Sequence, residues 1–206
     1  PDGQMFAGVD YSTTNQSTLL LYEAQTGNFI KKLSNPNNDV IINPSWSHDS
    51  KNIVYVRQTA HDGKGIAIID VENDTIENLL QPQHANNYTN PVFWNEWVLL
   101  NAHFDGVDNI FAVHRNDHTL KQITHSLLGA FNPFVSDDNK LLFDEYTVDG
   151  YIANSLILDT NRWTNVDIHS RKNDGYYEPL LQQEPEPVRF DTITPGKVPV
   201  KNYNSL

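Results

Sequence analysis

Asn43-Pro44-Ser45-Trp46-Ser47-His48-Asp49-Ser50-Lys51-Asn52-Ile53-Val54-Tyr55-Val56 is echoed later in the chain as Asn132-Pro133-Phe134-Val135-Ser136-Asp137-Asp138-Asn139-Lys140-Leu141-Leu142-Phe143-Asp144-Glu145. A looser copy reads Asn90-Pro91-Val92-Phe93-Trp94-Asn95-Glu96-Trp97-Val98-Leu99-Leu100. The Asn-Pro pairs at 43, 90 and 132 stand 47 and 42 residues apart. Pro1-Asp2-Gly3-Gln4 fits the same turn one repeat earlier. Self-similarity at about 40 to 50 residues marks a repeated supersecondary unit.

A second landmark keeps the same phase. Asp62-Gly63, Asp105-Gly106 and Asp149-Gly150 follow the second apolar run of their repeats, 43 and 44 residues apart. Asp-Gly accommodates the positive φ of tight hairpins, so each pair is expected to reverse a strand. After it come Ile66–Asp70, Ile110–His114 and Ser155–Asp159, then a polar turn and a short run such as Thr75–Leu79 or Leu120–Ile123. That makes four short strands per repeat. Several runs are apolar at nearly every position, as in a sheet covered on both faces. Sandwich, barrel and propeller all use such strands, and fixed repetition of a four-strand unit favours the propeller.

These residues resemble the propeller repeat of TolB-like proteins, in which Pro, any residue, Trp, Ser, Pro, Asp, Gly and Lys precede an apolar strand. Pro44-Ser45-Trp46-Ser47-His48-Asp49-Ser50-Lys51 matches well, with His48 at the second Pro. Pro133–Lys140 matches with Val135 in place of Trp; the third repeat keeps Pro91 and an aromatic but lacks the turn. The resemblance covers residues 1 to about 168. It implies an all-β fold, a β-propeller of four-stranded antiparallel blades with about four present, as part of a larger propeller. The expected blades are 1–38, 39–85, 86–128 and 129–168, the first lacking its innermost strand. Residues 169–206 are expected to form an extended tail or linker, Glu184-Pro185-Glu186-Pro187 being stiff and acidic. Tyr176-Tyr177 and Val198–Leu206 are similar to a connector that joins such propellers to outer-membrane barrels. A bacterial envelope location, periplasmic or outer-membrane-associated, is what the resemblance implies. Blade faces left open should be covered by missing blades or another chain, since bare apolar patches are rarely large.

Composition narrows the function. The 206 residues are 38% hydrophobic and 11% aromatic, enough for a core. Fourteen basic against 26 acidic residues give −12, which opposes binding to nucleic acid. Absence of cysteine removes disulfides, thiolate nucleophiles and Cys-ligated zinc. No apolar run reaches the ~18–20 residues of a membrane-spanning helix, so direct membrane insertion by this segment is not expected.

No residue set reads as a catalytic, cofactor or metal site. Pro44, Trp46, Asp49, Asp62, Gly63, Pro91, Asp105, Gly106, Pro133, Asp137, Asp149 and Gly150 are expected to be structural repeat positions. The Asp-Gly pairs lack the array of acids that calcium loops carry. Asp70 and Asp159 are expected to hold turns through side-chain-to-backbone bonds. His114 and His118 flank a turn, and neither His61 nor His103 belongs to a zinc motif. Ser47-His48-Asp49 is contiguous and cannot form a relay, and no Gly-x-Ser-x-Gly elbow occurs. Gly63-Lys64-Gly65 lacks the third glycine of a nucleotide loop. Asp144 and Glu145 point to opposite faces of one strand. Trp46, Phe93 and Phe134 occupy similar repeat positions and are expected to pack between blades. Trp94, Trp97 and Trp163 show no such regularity. These readings point to a non-enzymatic scaffold with a protein or peptide partner. The alternative is the accessory propeller of a peptidase or hydrolase whose catalytic domain lies elsewhere.

Overall fold

Successive residues of a strand face opposite sides, so a run that is apolar throughout needs cover on both. In the computed structural model, which describes residues 2–12, 17–84, 86–104 and 106–167, these runs form four antiparallel sheets. The first contains β1 (Met5–Tyr11), β2 (Ser17–Glu23) and β3 (Phe29–Lys32). The second contains β4 (Val40–Trp46), β5 (Asn52–Gln58), β6 (Lys64–Asp70) and β7 (Thr75–Gln83). In the third are β8 (Thr89–Trp94), β9 (Trp97–Ala102), β10 (Asn109–His114) and β11 (Leu120–Gln122). The fourth holds β12 (Ala130–Val135), β13 (Lys140–Thr147) and β14 (Gly150–Ile157). A turn of 3-10 helix, Thr160–Arg162, then leads to β15 (Thr164–Asn165). Apart from β15, which lies beside β11, strands neighbour in chain order within each sheet, and β5 pairs with β6 from Asn52↔Asp70 to Gln58↔Lys64. The described residues all belong to one compact unit.

Alternation within the strands builds three cores between four sheets. Leu19 and Leu21 of the first sheet meet Ile53, Tyr55, Ala67 and Ile69 of the second. The intervening residues Val54, Val56, Ile66 and Ile68 turn the other way, onto Val98, Leu100, Phe111 and Val113 of the third. Leu99, Ile110 and Ala112 in turn face Ala130 and Leu141 of the fourth. Each sheet is thus a blade stacked on the next. Burial in the first of these cores pushes the Tyr55 phenol up to about 12, because desolvation disfavours its anion.

The Asn-Pro landmark has a backbone origin. Asn43, Asn90 and Asn132 adopt φ of 49, 49 and 54°, in the left-handed region that Asn tolerates better than most residues. Each sits at a register shift in an innermost strand, between Ile42 and Ser45, Thr89 and Val92, or Phe131 and Phe134. β4 contacts β8, and β8 contacts β12, so the bulged strands lie side by side. Asn90 Nδ2 donates to Asn132 Oδ1 at 2.7 Å, linking two of them.

Three sheets depart from the four-strand unit: the first and fourth have three strands and the third has five. The first has three strands and begins at the counterpart of β5, as its missing innermost strand requires. The fourth also has three, against the expectation of four. The strand that should complete it, β15, pairs instead with β11 of the third sheet, Lys121↔Asn165 and Gln122↔Thr164. The cause is Trp163, which is buried between the third and fourth sheets against Trp94 and Trp97, at ring separations of 5.4 and 5.2 Å. Anchored there, the chain continues along β11, and Val166 N–H donates to Leu120 O at 3.0 Å.

Candidate functional site

The hairpins between the first two strands of each repeat carry the strongest sequence signal, and their chemistry is explicit. Ser47 N–H donates to Asn52 O at 2.8 Å, while Ser47 Oγ donates to Asp49 Oδ1 at 2.6 Å and accepts Asn52 N–H at 2.9 Å. That hydroxyl bond, chiefly, holds the Asp49 carboxyl below its usual range despite opposing desolvation. The fourth sheet repeats the device with Ser136 Oγ donating to Asp138 Oδ1 at 2.5 Å. The turn aspartate is therefore Asp138, not Asp137, because Asp138 has the spacing from Ser136 that Asp49 has from Ser47. Gly3, Ser50 and Asn139 occupy the equivalent position of positive φ, at 72, 59 and 60°. In the third repeat this turn shrinks to Asn95-Glu96, with Trp94 opposite Trp97.

These hairpins of the second, third and fourth sheets border a cleft of about 670 Å³ at one end of the innermost strands. Phe93, Trp94 and Val135 supply apolar wall, and His48, Glu96, Arg115 and Asp137 supply polar groups. The Arg115 guanidinium lies 5.3 Å from the Phe93 ring centre, a cation–π contact that leaves its in-plane N–H groups available. Among the described residues the side chains of His48, Glu96 and Asp137 have no hydrogen-bond or ion-pair partner, in contrast to Asp49 and Asp138 beside them. Trp94 Nε1 donates to Asn139 Oδ1 at 3.1 Å and fixes one wall. The cleft offers an aromatic floor and unpaired charges of both signs. Its serines are committed to the turns: Ser47 and Ser136 donate to carboxylates, and neither bonds to a histidine.

The other singled-out residues lie apart from the cleft or frame it. Pro44, Pro91 and Pro133 follow the left-handed asparagines within β4, β8 and β12. Trp46 packs partly buried on the core between the first two sheets, and Phe93 on the next. Phe134 does not pack as expected: it is 60% exposed, because it projects from the free face of the fourth sheet, where no further blade follows. Gly63, Gly106 and Gly150 have φ of 91, 91 and 104° in their turns. Asp62 N–H donates to Thr59 Oγ1 at 2.8 Å and Asp149 N–H to Thr147 Oγ1 at 3.3 Å, so both hairpins are closed by a preceding threonine. Asp105 and the tail from 168, including Tyr176 and Tyr177, lie outside the described residues. Asp70 accepts Asn73 N–H at 2.7 Å, and Asp159 accepts Asn161 N–H at 3.1 Å. His114 and His118 do not converge: His114 Nδ1 lies 2.9 Å from Asp117 Oδ1, and His118 Nδ1 lies 2.8 Å from Leu79 O. His103 Nδ1 is 3.3 Å from Asp108.

Two groupings escaped the sequence reading. Trp94, Trp97 and Trp163 form one aromatic cluster, joined by Lys121 Nζ at 5.5 Å from the Trp97 ring centre. Asn101, buried in β9, donates to Ala130 O at 2.6 Å and accepts Asn132 N–H at 2.9 Å, tying third and fourth blades together. Only its interruption of the apolar run Val98-Leu99-Leu100-Asn101-Ala102 could have signalled it.

No family model and no curated protein matches the sequence. Solved structures do. A putative TolB from Agrobacterium tumefaciens is similar with a TM-score of 0.63 at 18% identity, over 82% of this chain and 62% of that one. TolB from Acinetobacter baumannii gives 0.63 at 15%, over 80% and 41%. A puromycin hydrolase gives 0.57 at 12%, over 83% and 28%. The chain is a partial β-propeller. Its blades have the fold seen in TolB, and the chain spans less than two thirds of any of these three proteins. No helix among the described residues is long and apolar enough to cross a membrane.

Proposed function

We propose that this chain is a non-catalytic propeller scaffold of a bacterial envelope protein, holding a protein or peptide partner at the cleft where the hairpins of three successive blades meet. The observation that carries this reading is the set of unpartnered side chains there, His48, Glu96 and Asp137, around Phe93 and Trp94. These three side chains are solvent-exposed and open to a ligand, whereas Ser47, Asp49, Ser136 and Asp138 beside them are bound within the turns. Functional groups left open against an aromatic wall suit a ligand that brings its own partners. Two free carboxylates and a net charge of −12 favour a segment with a basic side chain, and Arg115 suits a carbonyl or carboxylate beside it.

Site-specific photo-crosslinking tests this in intact cells. A benzophenone side chain at Asn95 should give one discrete adduct with a partner protein, lost in Glu96→Gln/Asp137→Asn and weakened at high salt. Adduct formation indifferent to both changes would remove the cleft from the account. The second reading is an accessory propeller of a peptidase, favoured by the likeness to puromycin hydrolase. A reading frame that continues into a Gly-x-Ser-x-Gly elbow with downstream Asp and His would establish it.

A further inference from the structure

The four sheets present eight edges, and natural sheets protect edges with proline, charge or brevity. Seven of these edges do so. β4, β8 and β12 contain Pro44, Pro91 and Pro133, and β7 contains Glu77 and Pro82. β3 is four residues long with Lys31 and Lys32, β15 has two residues, and β1 carries Asp10. The eighth edge, β14, runs through eight residues, Gly150-Tyr151-Ile152-Ala153-Asn154-Ser155-Leu156-Ile157, without a charge or a proline. It is held straight by unbroken register with β13, from Lys140↔Ile157 to Thr147↔Gly150. In the first three sheets the equivalent strand has an outer neighbour, β3, β7 or β11. Among the described residues β14 has none.

We propose that β14 pairs antiparallel with β14 of a second copy of this chain, about a two-fold axis through Asn154. Directly opposed residues of an antiparallel pair share a face, so a two-fold register must oppose residues an even number apart. Centred on Asn154, the register sets Tyr151 against Ile157 of the second copy, Ile152 against Leu156 and Ala153 against Ser155. Tyr151 and Ile157, at 67% and 68% exposure the barest large apolar side chains of the strand, become each other's partners on both sides of the axis. Aromatic against β-branched is a favourable cross-strand pair. No charge meets a like charge within the strand pair, which matters for a chain carrying −12. A two-fold contact of this kind is self-complementary and closed, giving a dimer rather than a fibre.

The test uses the whole 206-residue chain, whose lack of cysteine allows a single probe. Opposed residues lie with Cα atoms about 4.5–5.5 Å apart, within disulfide reach. Asn154→Cys should therefore oxidise to a covalent dimer, whereas Phe134→Cys, exposed on β12 at the opposite edge of the same sheet, should not. In sedimentation equilibrium the unmodified chain should dimerise, and Tyr151→Lys/Ile157→Lys, which opposes lysines across the axis, should weaken association roughly tenfold or more. Both side chains are exposed, so the monomer fold should keep its circular dichroism. Phe134→Lys should leave the dimer intact. A chain that stays monomeric at every concentration overturns the proposal. So does a dimer that Phe134→Lys breaks and the double lysine variant keeps, since contact would then lie on the open face of the sheet.

Discussion

β6 and β14 are the same strand of the repeat, yet among the described residues one is among the best buried strands and the other among the least. In β6, Gly65 through Ile69 are all buried, with Ile66 and Ile68 facing the third blade and Ala67 and Ile69 the first. In β14, five residues from Tyr151 to Ser155 are exposed, and only Leu156 packs on a core. Both strands carry aliphatic side chains, Ile66, Ile68 and Ile69 in one and Ile152, Leu156 and Ile157 in the other. Local sequence fixes strand and register, and neighbouring blades decide burial. The same side chain therefore carries stability in an inner blade and adhesiveness in a terminal one.

The contrast is sharpest for aliphatic truncation. Ile66→Ala should cost about 2–5 kcal/mol, because it opens a cavity between two blades, while Ile157→Ala should stay within about 0.5 kcal/mol. Urea titration of the two variants checks this, and equal costs would break the comparison. Glycines of the same turn should separate likewise. A Cβ on Gly63 would lie 2.6 Å from the backbone of Gln83, whereas Gly150 has nothing within 4 Å. Both have positive φ, so Gly150→Ala should cost only backbone strain, about 1–2 kcal/mol, and Gly63→Ala clearly more. Asn101→Ala should cost about 1–3 kcal/mol, since it strands Ala130 O and Asn132 N–H at the joint between third and fourth blades.

A smaller effect separates the turns by pH. Thr119 N–H first, then the Thr119 hydroxyl and His114, bring the Asp117 carboxyl down to about 2 from 3.8. A depressed carboxyl contributes stability above its unfolded value and loses it as pH falls through the folded one. The turn joining β10 to β11 should thus loosen between about pH 4 and pH 2, with the Asp117 carbon resonance titrating near 2. A midpoint near 4 would mean that the turn bonds do not form in solution.

How much of this was legible in the sequence depends on whether a feature repeats. The strands, the hairpin glycines and the asparagines before proline recur in phase, because each is a local backbone requirement met once per blade. Asp138 was obscured by Asp137 beside it, since two adjacent acids fit one turn position equally well. The Trp94, Trp97 and Trp163 cluster, the path of β15 onto β11 and the bridge at Asn101 join unlike positions of different repeats, and no period announces them. Phe134 misled because its repeat position predicts packing that only a following blade can supply. The cleft was not read from the sequence: its walls are the repeat hairpins, but His48, Glu96, Arg115 and Asp137, which line it, do not repeat.

Native-state hydrogen exchange, followed by mass spectrometry on dilute chain, tests the blade-stacking account most directly. Amides of Ile66–Ile69, Val98–Leu100 and Phe111–Val113 should exchange only through global unfolding, and those of Tyr151–Ile157 faster by orders of magnitude. Equal protection across β6 and β14 would contradict an inner blade covered on both faces beside a terminal blade covered on one.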